Sequence, residues 1–484
     1  MRPVPPKIPR ALWPAVPLAF FLYFFGLGAA GLIGPDEPRY ASIGRAMART
    51  GDWITPRLWG QPWFEKPPLL YWMDAIAFRA GLGPELAPRL PVAALAVAFL
   101  AFYWWILNRE FGCRAACFAT LILGTCAGYW GASQLAVPDL PLTATFSAAM
   151  LLALPWIGKR ETRWLPVAAI LLGLAVLAKS LAALALAVPV VWWLRRGRWR
   201  DVVNWRVIVP FVVVALPWYV VCYQRNGWGF IDTLFVEHQF GRFTSGALMH
   251  VRKWWFYVPV LAGLLAPWTP LVALTFRRAP YRDSRRVFLA AWVVFGLVFF
   301  SAAVNKLPGY VLPLLPAAAA LIGIALDEAG NARVWLAVCA LLLALFPIAA
   351  PMIPGAVAGG LSRTPLPAFR WYWLLPVAVA GAAWMMEARG RRLAAVLCVA
   401  AGVTGGIVYL KLSAAPQLDR VASAREFWRE NAARAGEMCI GDVQREWRYG
   451  LNYYSGTALP DCHAEHRGLE IRETGEGISV AAER

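Results

Sequence analysis

Charged residues are scarce in this 484-residue chain, since Asp, Glu, Lys and Arg together make up 15% of it. Hydrophobic residues make up 60%, which excludes a set of ordinary soluble domains. Acidic residues are fewer than basic ones, and the formal net charge is +19. The basic residues stand in short clusters between apolar runs and form no face with exposed aromatic residues, which excludes a nucleic-acid interface. This spacing is typical of the positive-inside pattern of a polytopic membrane protein.

Other patterns are missing as well. The sequence has no Gly-rich phosphate loop and therefore no sign of a nucleotide cofactor. It has no internal repeat of the kind that builds many transporters, and its apolar runs are nearly free of charge, which disfavours a transporter or lipid flippase. Six of the eight cysteines lie in apolar segments without metal-ligand spacing and are interpreted as packing residues. A membrane protein that only binds partners would not need the clustered Asp, Glu, Lys and His residues described below.

The apolar runs predict thirteen membrane-spanning helices, because a spanning helix needs about 20 mostly apolar residues. The fifth and sixth runs adjoin at Lys179 and Ser180, so twelve is the alternative count. The predicted spans are 11–33, 86–108, 113–133, 138–157, 163–178, 180–196, 204–224, 254–276, 286–303, 308–326, 332–353, 369–387 and 392–411.

Alternate short loops carry most of the Lys and Arg residues, which predicts a cytoplasmic N-terminus and an extracytoplasmic C-terminus. Residues 1–411 are predicted to form the membrane domain, with long outer loops at 34–85 and 225–253, and residues 412–484 a small outer domain. In that tail, Tyr449 to Tyr454 suggests a strand. Cys439 and Cys462 are predicted to form a disulfide, because the predicted location of the tail outside the cytoplasm permits disulfides.

A polar segment follows the first predicted span and begins at Asp36. Ser42, Arg45 and Arg49 recur at helical spacing, which predicts a short helix along the membrane surface. Asp36 has two interpretations. It could cap this helix, or it could act as a general base where a lipid headgroup meets the outer leaflet.

A second unusual segment, residues 59–72, places Glu65 and Lys66 among aromatic residues. Pro67 and Pro68 prevent a helix from starting before them, so the charged pair is predicted to lie on extended chain. One interpretation is a solvated ion pair in an interfacial aromatic belt. In the other, Lys66 stabilises the negative charge of a phosphate leaving group.

Four further residues are candidates for chemistry. Asp139 begins the fourth span, either as an N-cap or as a functional acid at the membrane boundary. His238, one of four histidines, is either a structural or solvated residue or a metal ligand. Lys306 precedes the tenth span and either snorkels to the interface or binds a phosphate, to which Tyr310 could donate a hydrogen bond.

Together these segments resemble the polyprenyl-phosphate-dependent membrane glycosyltransferases of the GT-C class. Among these, the chain resembles the bacterial family that transfers 4-amino-4-deoxy-L-arabinose from undecaprenyl phosphate to lipid A, which is related to the protein O-mannosyltransferases. The resemblance covers about residues 10–411 and rests on Asp36-Glu37-Pro38-Arg39-Tyr40, Phe64-Glu65-Lys66-Pro67-Pro68-Leu69-Leu70-Tyr71-Trp72, Pro138-Asp139, Glu237-His238 with Arg242-Phe243, and Lys306-Leu307-Pro308-Gly309-Tyr310. It implies an all-α GT-C fold with periplasmic loop helices and a small extracytoplasmic α/β tail.

The resemblance also implies roles for single residues. The expected catalytic acids are Asp36 and Asp139. The expected substrate-binding residues are Arg39, Lys66, Arg242, Lys306 and Tyr310. The expected ligands of a divalent metal ion, zinc or similar, are Glu65 and His238. No nucleotide cofactor is expected.

The function that the resemblance implies is transfer of a sugar from undecaprenyl phosphate to lipid A or another envelope acceptor, at the periplasmic face of the bacterial inner membrane and with inversion. Aminoarabinose is one candidate sugar. The expected partners are a polyprenyl-phosphate-linked sugar donor, a lipid or glycan acceptor and membrane lipids. The alternatives are an enzyme like the protein O-mannosyltransferases or another lipid-headgroup transferase, with a lipid transporter ranked lower.

Overall fold

The computed structural model of the chain describes residues 15–194, 198–241, 252–276, 282–360, 364–474 and 477–482. The helices of the first half are α1 Ala15–Tyr23, α2 Asp36–Thr50, α3 Leu69–Arg79, α4 Leu86–Phe111, α5 Cys113–Thr125, α6 Ala127–Ser133, α7 Asp139–Leu152, α8 Leu154–Lys159, α9 Leu165–Lys179, α10 Ala182–Leu186, α11 Val191–Trp193, α12 Trp199–Val202, α13 Trp205–Asn226 and α14 Trp228–Ile231. Those of the second half are α15 Tyr257–Leu265, α16 Ser284–Ala302, α17 Leu315–Glu328, α18 Arg333–Leu341, α19 Leu345–Gly359, α20 Leu375–Ala388, α21 Arg392–Ala422, α22 Arg425–Asn431 and α23 Arg445–Ser455.

Shorter helical segments link several of these helices. The 3-10 segments are Thr162–Trp164, Val188–Val190, Trp254–Phe256, Thr269–Phe276, Pro308–Leu314, Leu342–Ala344, Trp371–Leu374 and Ala432–Glu437, and one π-helical segment is Asp232–Gly241. The strands are β1 Arg57–Leu58, β2 Gln61–Pro62, β3 Met438–Ile440, β4 Leu469–Thr474 and β5 Gly477–Ala482.

The described ranges contain eight helical stretches that are long and apolar enough to cross a membrane, some of them made of consecutive segments. Two further pairs are bent, by 59° between α5 and α6 and by 111° between Trp254–Leu265 and Thr269–Phe276, and counting each as one span gives ten. The all-α polytopic architecture is therefore confirmed.

Three of the thirteen predicted spans are not among these ten. The first is represented by α1 alone, and the twelfth by α20 behind a 3-10 segment. The sixth is broken at Val188–Val190, where Pro189 removes a backbone donor from the helical ladder. The count of thirteen stays a prediction for these segments.

The first outer loop folds as the local sequence predicts. Helix α2 buries Ile43 and Met47 and exposes Arg49, so the predicted helix is confirmed, and its position along the membrane surface stays a prediction. Strands β1 and β2 form a short antiparallel hairpin ahead of α3, which begins only after Pro67 and Pro68. The chain is thus extended through the segment that carries the charged pair.

Helices α2 and α3 pack closely through one glycine. A Cβ atom added to Gly44 would lie 2.5 Å from the Cβ of Asp74 and 3.3 Å from the carbonyl oxygen of Tyr71. Only glycine permits this approach, because real Cβ atoms do not come within 3.0 Å of such neighbours. The contact fixes the outer loop as two packed helices beside the membrane domain.

The last long helix, α21, continues past residue 411 to Ala422 and leads into the tail. There β3 pairs parallel with β4, and β4 pairs antiparallel with β5. The predicted disulfide between Cys439 and Cys462 is present. The strand predicted near Tyr449 is wrong, because α23 spans that segment and buries Trp447 and Leu451, four residues apart, on one helical face.

The tail docks on the outer loop and on the exit of α1. The Tyr454 hydroxyl accepts a hydrogen bond from the backbone of Leu32 at 2.9 Å, and Tyr453 donates to the carbonyl of Pro84. Arg425 donates to the carbonyls of Gly28 and Ala29 at 3.0 and 2.7 Å. Arg45 of α2 also donates to the carbonyl of Tyr453 at 2.8 Å, which places α23 directly against α2.

Candidate active site

The first turn of α2 is anchored by a buried ion pair between Glu37 and Arg89. Two guanidinium nitrogens of Arg89 donate to the two carboxylate oxygens of Glu37 at 2.9 and 2.7 Å. Glu37 also accepts from the backbone nitrogens of Ile33 and Ala136, at 3.0 and 2.9 Å. The carboxylate of Glu37 is therefore fully used in holding α1, α2, α4 and the start of α7 together.

The neighbouring Asp36 is placed differently. It is the first residue of α2, Pro35 occupies the N-cap position, and no side chain caps the helix. The interpretation of Asp36 as an N-cap is therefore wrong. Its carboxylate lies 2.5 Å from Nη2 of Arg39, and 55% of its side chain is exposed. Asp36 thus presents an oriented, accessible carboxylate at the exit of α1.

Arg39 connects Asp36 to the predicted pair in the first outer loop. Nη1 of Arg39 lies 3.1 Å from Oε2 of Glu65, and Nζ of Lys66 lies 2.7 Å from Oε1 of Glu65. The side chain of Glu65 is only 4% exposed, so the interpretation as a solvated ion pair is wrong. The structure brings Asp36, Arg39, Glu65 and Lys66 into one cluster of two acids and two cations.

Aromatic rings enclose the guanidinium of Arg39. Its carbon lies 5.0 Å from the ring centre of Tyr40, 5.9 Å from that of Trp63 and 5.5 Å from that of Tyr449, within the range of cation–π attraction. Tyr449 belongs to α23 of the tail and also contacts Trp59, at 5.4 Å between ring centres. The tail therefore completes the wall of the cluster, which no local sequence signal indicated.

The cluster is electrostatically balanced at neutral pH. Burial acts to lower the pKa of Arg39, but the neighbouring acidic groups of Tyr40, Glu65 and Asp36 outweigh it and raise that pKa. Burial, followed by the negative charge of Glu65, raises the pKa of Tyr40 and of Tyr71 well above the usual value. Arg39 therefore remains a cation, and both phenols remain protonated hydrogen-bond donors.

A fully buried acid, Asp74, lies behind this cluster on α3. Neither of its carboxylate oxygens has a hydrogen-bond partner in the described part of the chain. Burial, followed by the negative charge of Glu37, raises the pKa of Asp74 well above its ordinary value. The buried surroundings thus favour the protonated form of Asp74, which packs against Gly44.

A second cluster forms around Asp139 at the start of α7. Its Oδ1 accepts from Nζ of Lys179 at 2.8 Å, and that ammonium lies 5.0 Å from the ring centre of Tyr310. Pro138 occupies the N-cap position and no side chain caps α7, so the N-cap interpretation of Asp139 is wrong. Sequence reasoning missed Lys179 as a partner, although an ionisable residue within an apolar run was a usable signal.

Gly309 gives Asp139 the space it occupies. A Cβ atom at Gly309 would lie 2.8 Å from Oδ1 of Asp139. Lys306, three residues earlier, is buried and donates to the carbonyls of Arg252, at 3.2 Å, and Ala303. The snorkelling interpretation of Lys306 is therefore wrong, and its ammonium is directed at the backbone around the second cluster.

Two links connect the clusters. The backbone of Ala136, three residues before Asp139, donates to Glu37, the neighbour of Asp36. Phe64, the neighbour of Glu65, shares a buried core with Leu177, two residues before Lys179. Both clusters thus belong to one region, between the first outer loop and the adjoining ends of α7 and α9.

The predicted metal ligands do not form a recognisable metal site among the described residues. Both oxygens of Glu65 contact cations, and no group of three or more His, Cys, Asp or Glu side chains could hold an ion in the described ranges. The side chain of His238 and the whole of Arg242 lie outside the described residues. The metal ion and both of these site residues stay predictions.

Comparison with known proteins places this region in context. A family model described as dolichyl-phosphate-mannose-protein mannosyltransferase matches residues 18–228. An undecaprenyl phosphate-alpha-4-amino-4-deoxy-L-arabinose arabinosyl transferase from Pseudomonas aeruginosa (strain UCBPP-PA14) is 33% identical over 339 residues. That match covers 66% of this chain and 60% of the relative, so it spans less than two thirds of the relative's length.

Two further matches cover nearly the whole chain. The enzyme of the same description from Pseudomonas paraeruginosa (strain DSM 24068 / PA7) is 29% identical, over 92% of this chain and 87% of its own. The crystal structure of ArnT from Cupriavidus metallidurans bound to undecaprenyl phosphate superposes with a TM-score of 0.75 and 27% identity, covering 92% of this chain and 84% of that one. The chain has the GT-C fold of membrane glycosyltransferases.

The GT-C fold expected from the five motifs is thereby confirmed. The arabinosyltransferase EmbB from Mycobacterium smegmatis shares the fold alone, with a TM-score of 0.50 and 13% identity over 94% of this chain and 44% of that one. As a GT-C protein with many apolar helices, the chain is a polytopic protein of the inner membrane.

Proposed function

We propose that this GT-C protein moves a sugar from undecaprenyl phosphate to lipid A or another envelope acceptor. The observation that carries the proposal is the exposed carboxylate of Asp36, held by Arg39 beside the buried Glu65–Lys66 pair. The descriptions of the arabinosyl transferase relatives and the undecaprenyl phosphate bound to the Cupriavidus protein support the donor. Aminoarabinose is the candidate sugar for the same reason.

The donor requires a cation at its phosphate. The bond from the sugar anomeric carbon to the phosphate oxygen breaks, and the departing polyprenyl phosphate gains negative charge. Lys66 and Arg242 are proposed to stabilise that charge, since preorganised cations in a water-poor site act most strongly where charge develops. Glu65 compensates Lys66 while no phosphate is bound, which explains how a lysine is buried at this position.

The acceptor oxygen attacks the anomeric carbon from the face opposite the phosphate. One displacement inverts the anomeric centre, so no covalent sugar–enzyme intermediate forms. Asp36 accepts the proton if the acceptor is a hydroxyl, and only orients the acceptor if it is an ionised phosphate oxygen. Arg39 holds the Asp36 carboxylate in place.

The second cluster is proposed to position the reacting groups. Asp139 is the second acid of the site, and its ion pair with Lys179 fixes its direction. Tyr310 lies against that ammonium and could donate its hydroxyl proton to a phosphate oxygen. Lys306 contributes a positive charge from beneath the same cluster.

The site is proposed to face the periplasm. The alternation of Lys- and Arg-rich loops puts the N-terminus in the cytoplasm and the tail outside. A polyprenyl-linked donor fits this location, since its chain stays in the bilayer while its headgroup reaches the outer surface.

A second candidate is transfer to a protein hydroxyl, as in the protein O-mannosyltransferases. The match of that family model to residues 18–228 favours it. The two candidates differ in the acceptor and leave the roles of Lys66 and Asp36 unchanged.

Mass spectrometry tests both proposals. The envelope lipids and glycoproteins of a deletion strain are compared with those of a strain complemented by the wild-type gene. Loss of a pentose-sized mass from lipid A alone supports the first candidate, and loss of a hexose-sized mass from proteins supports the second. Unchanged lipid A and glycoproteins would contradict both, and transfer by the purified chain from undecaprenyl-linked sugar to lipid A would then be the deciding assay.

A further inference from the structure

Two adjoining cavities lie between α2, the end of α3 and the tail, outside both clusters described above. The larger, of about 430 Å³, is lined by Arg45, Ala48, Arg49, Phe78, Arg79, Leu82, Pro84 and Tyr454. The smaller, of about 340 Å³, is lined by Ser42, Arg45, Ala46, Arg49, Thr50, Trp59, Gly60, Asn452, Tyr453, Gly456, Thr457 and Ala458. Arg45 and Arg49 line both cavities and so form the ridge between them.

Three arginines give these cavities a positive charge that no acid balances. In the described part of the chain, no carboxylate lies within 4.0 Å of Arg45, Arg49 or Arg79, whereas Arg39 and Arg89 in the same region pair with acids. Arg45 and Arg49 are one helical turn apart, where like charges destabilise a helix slightly. An anion between them would remove that repulsion.

The arginines are held in place by neutral groups. Nη1 of Arg45 donates to the carbonyl of Tyr453 at 2.8 Å, and its guanidinium lies 3.9 Å from the ring centre of that tyrosine. Nε of Arg79 donates to the carbonyl of Ala48 at 3.2 Å, and its guanidinium lies 5.0 Å from the ring of Trp53. Each guanidinium keeps further N–H groups for a ligand, and its planar fork matches a phosphate.

The cavities also fit a lipid. Phe78, Leu82 and Pro84 provide apolar surface in the larger cavity. Ile76 of α3 and Leu86 of the spanning helix α4, each two residues from a residue that lines this cavity, are exposed. A headgroup among the arginines could therefore extend its acyl chains along α4.

The smaller cavity leads towards the first cluster. Its lining residue Trp59 contacts Tyr449, and Tyr449 contacts Arg39. Along α2, Arg45 lies nine residues beyond Asp36, which corresponds to about 14 Å of helix. A headgroup bound in the cavities would reach the proposed base with its other end.

We propose that Arg45, Arg49 and Arg79 bind a phosphate of the acceptor lipid and so hold the acceptor beside Asp36. This inference rests on the proposed function, because it names the acceptor site of the same reaction. The predicted ligand is a phosphorylated glycolipid headgroup, which needs the sugar-sized space of the two cavities as well as their charge.

Binding of lipid A to the full-length protein in detergent, without donor, tests the inference. The probes are lipid A and its dephosphorylated form, and the variant is the double substitution Arg49→Gln and Arg79→Gln. We expect the dissociation constant for lipid A to rise roughly tenfold or more, since charged hydrogen bonds to phosphate are lost. Dephosphorylated lipid A should bind both proteins equally weakly.

Matched controls separate charge from folding. Arg114→Gln removes one exposed cation on α5 that pairs with Asp327, and we expect it to bind lipid A as the wild type does. Arg49→Lys with Arg79→Lys should recover part of the affinity. Unchanged binding in the double Gln variant would overturn the inference, as would equal displacement of lipid A by phosphatidylglycerol vesicles or inorganic phosphate, which would identify a general anion site.

Turnover distinguishes this inference from the proposed function. If wild-type protein transfers sugar to lipid A and the double Gln variant keeps the wild-type KM for lipid A, the inference fails and the proposed function stands. We expect instead an increase of roughly tenfold in that KM with a smaller change in kcat. If wild-type protein transfers nothing to lipid A but its binding depends on the arginines, the proposed function fails and the binding site stands.

Discussion

Nζ of Lys179 lies 2.8 Å from Oδ1 of Asp139, across 40 residues of sequence. Both side chains are mostly buried, so removing one partner leaves a charge with little solvent to replace it. The pair therefore sets the direction of the Asp139 carboxylate and depends on both residues.

A charge swap tests this pair. Lys179→Met or Asp139→Asn should each lower the free energy of unfolding by roughly 1 to 3 kcal/mol, as expected for a charged hydrogen bond, and lower turnover. The double variant Asp139→Lys with Lys179→Asp should regain part of the stability but not the activity. Thermal unfolding in detergent measures the first effect. Full additivity of the two single effects in the double variant Lys179→Met with Asp139→Asn would contradict the pairing.

Asp36 and Lys66 should separate catalysis from donor binding. Asp36→Asn should reduce transfer to a hydroxyl acceptor by roughly 10²- to 10⁴-fold, the range of general base catalysis, while the donor dissociation constant stays unchanged. Lys66→Ala should weaken donor binding as well as turnover, because it removes a phosphate cation. Steady-state kinetics and donor binding to both purified variants measure the difference.

Asp36→Asn leaves the N-cap of α2 intact, because Pro35 occupies that position. A well-folded Asp36→Asn protein with near-normal transfer to a hydroxyl would exclude Asp36 as the base. Product with the anomeric configuration of the donor would exclude the single displacement.

Asp74 should make stability fall as the pH rises. Its pKa is raised in the folded protein by burial and then by Glu37, whereas in the unfolded chain it ionises near its ordinary value. At a pH above the ordinary pKa, the unfolded chain has released a proton that the folded protein retains. The free energy of unfolding therefore falls with rising pH until the pH reaches the raised pKa. Asp74→Asn should remove this dependence.

Thermal unfolding of wild-type protein and Asp74→Asn from about pH 4 to pH 8 measures this effect. The difference in stability between Asp74→Asn and wild type should grow with pH in favour of the variant and vanish at the acid end of this pH range. A constant difference at every pH would show that Asp74 ionises equally in both states.

The Cys439–Cys462 disulfide should stabilise the tail. In a chain-entropy treatment, closing a loop of this length contributes about 3 kcal/mol. Replacing both cysteines by serine should lower the stability of the tail by that order, and reductant should do the same to the wild type. Cys398→Ser, which removes a free cysteine, is the matched control, and free thiols at both positions in protein purified without reductant would refute the bridge.

Removal of divalent ions tests whether Glu65 is a metal ligand, as the sequence predicted. If Glu65 and His238 bind an ion, chelation should lower turnover, zinc should restore it, and Glu65→Gln should lower the metal bound per protein. Elemental analysis paired with activity measures both. Full activity in metal-free protein would leave Glu65 with its ion pairs alone.

The local sequence correctly predicted the structural features that depend only on residues close together in the chain. The helical spacing after Asp36 and the two prolines after Lys66 predicted α2 and the extended segment correctly. The partners of these residues could not be predicted, because Arg39 meets Tyr449 through the docking of the tail and Glu37 meets Arg89 through the bundle. No spacing encodes contacts between residues so far apart in the chain.

The errors have equally specific causes. The alternating Tyr449, Leu451 and Tyr453 suggested a strand, but Trp447 and Leu451 share a helical face that the pattern around Tyr449 obscured. Asp36 and Asp139 each follow a proline, which takes the N-cap position and leaves the acid inside the first turn. That shift by one residue turns a common capping pattern into an available carboxylate.

The bidentate contact between Arg89 and Glu37 affects how mutational scans of this protein should be interpreted. Glu37 stands next to Asp36, and its loss would leave Arg89 buried among backbone carbonyls without a counter-ion. A scan scored by survival alone would therefore rank Glu37 beside Asp36 as essential, although its carboxylate is turned away from the reacting groups. Measuring the amount of protein inserted in the membrane together with activity separates the two, since a Glu37 variant loses protein and an Asp36 variant loses only turnover.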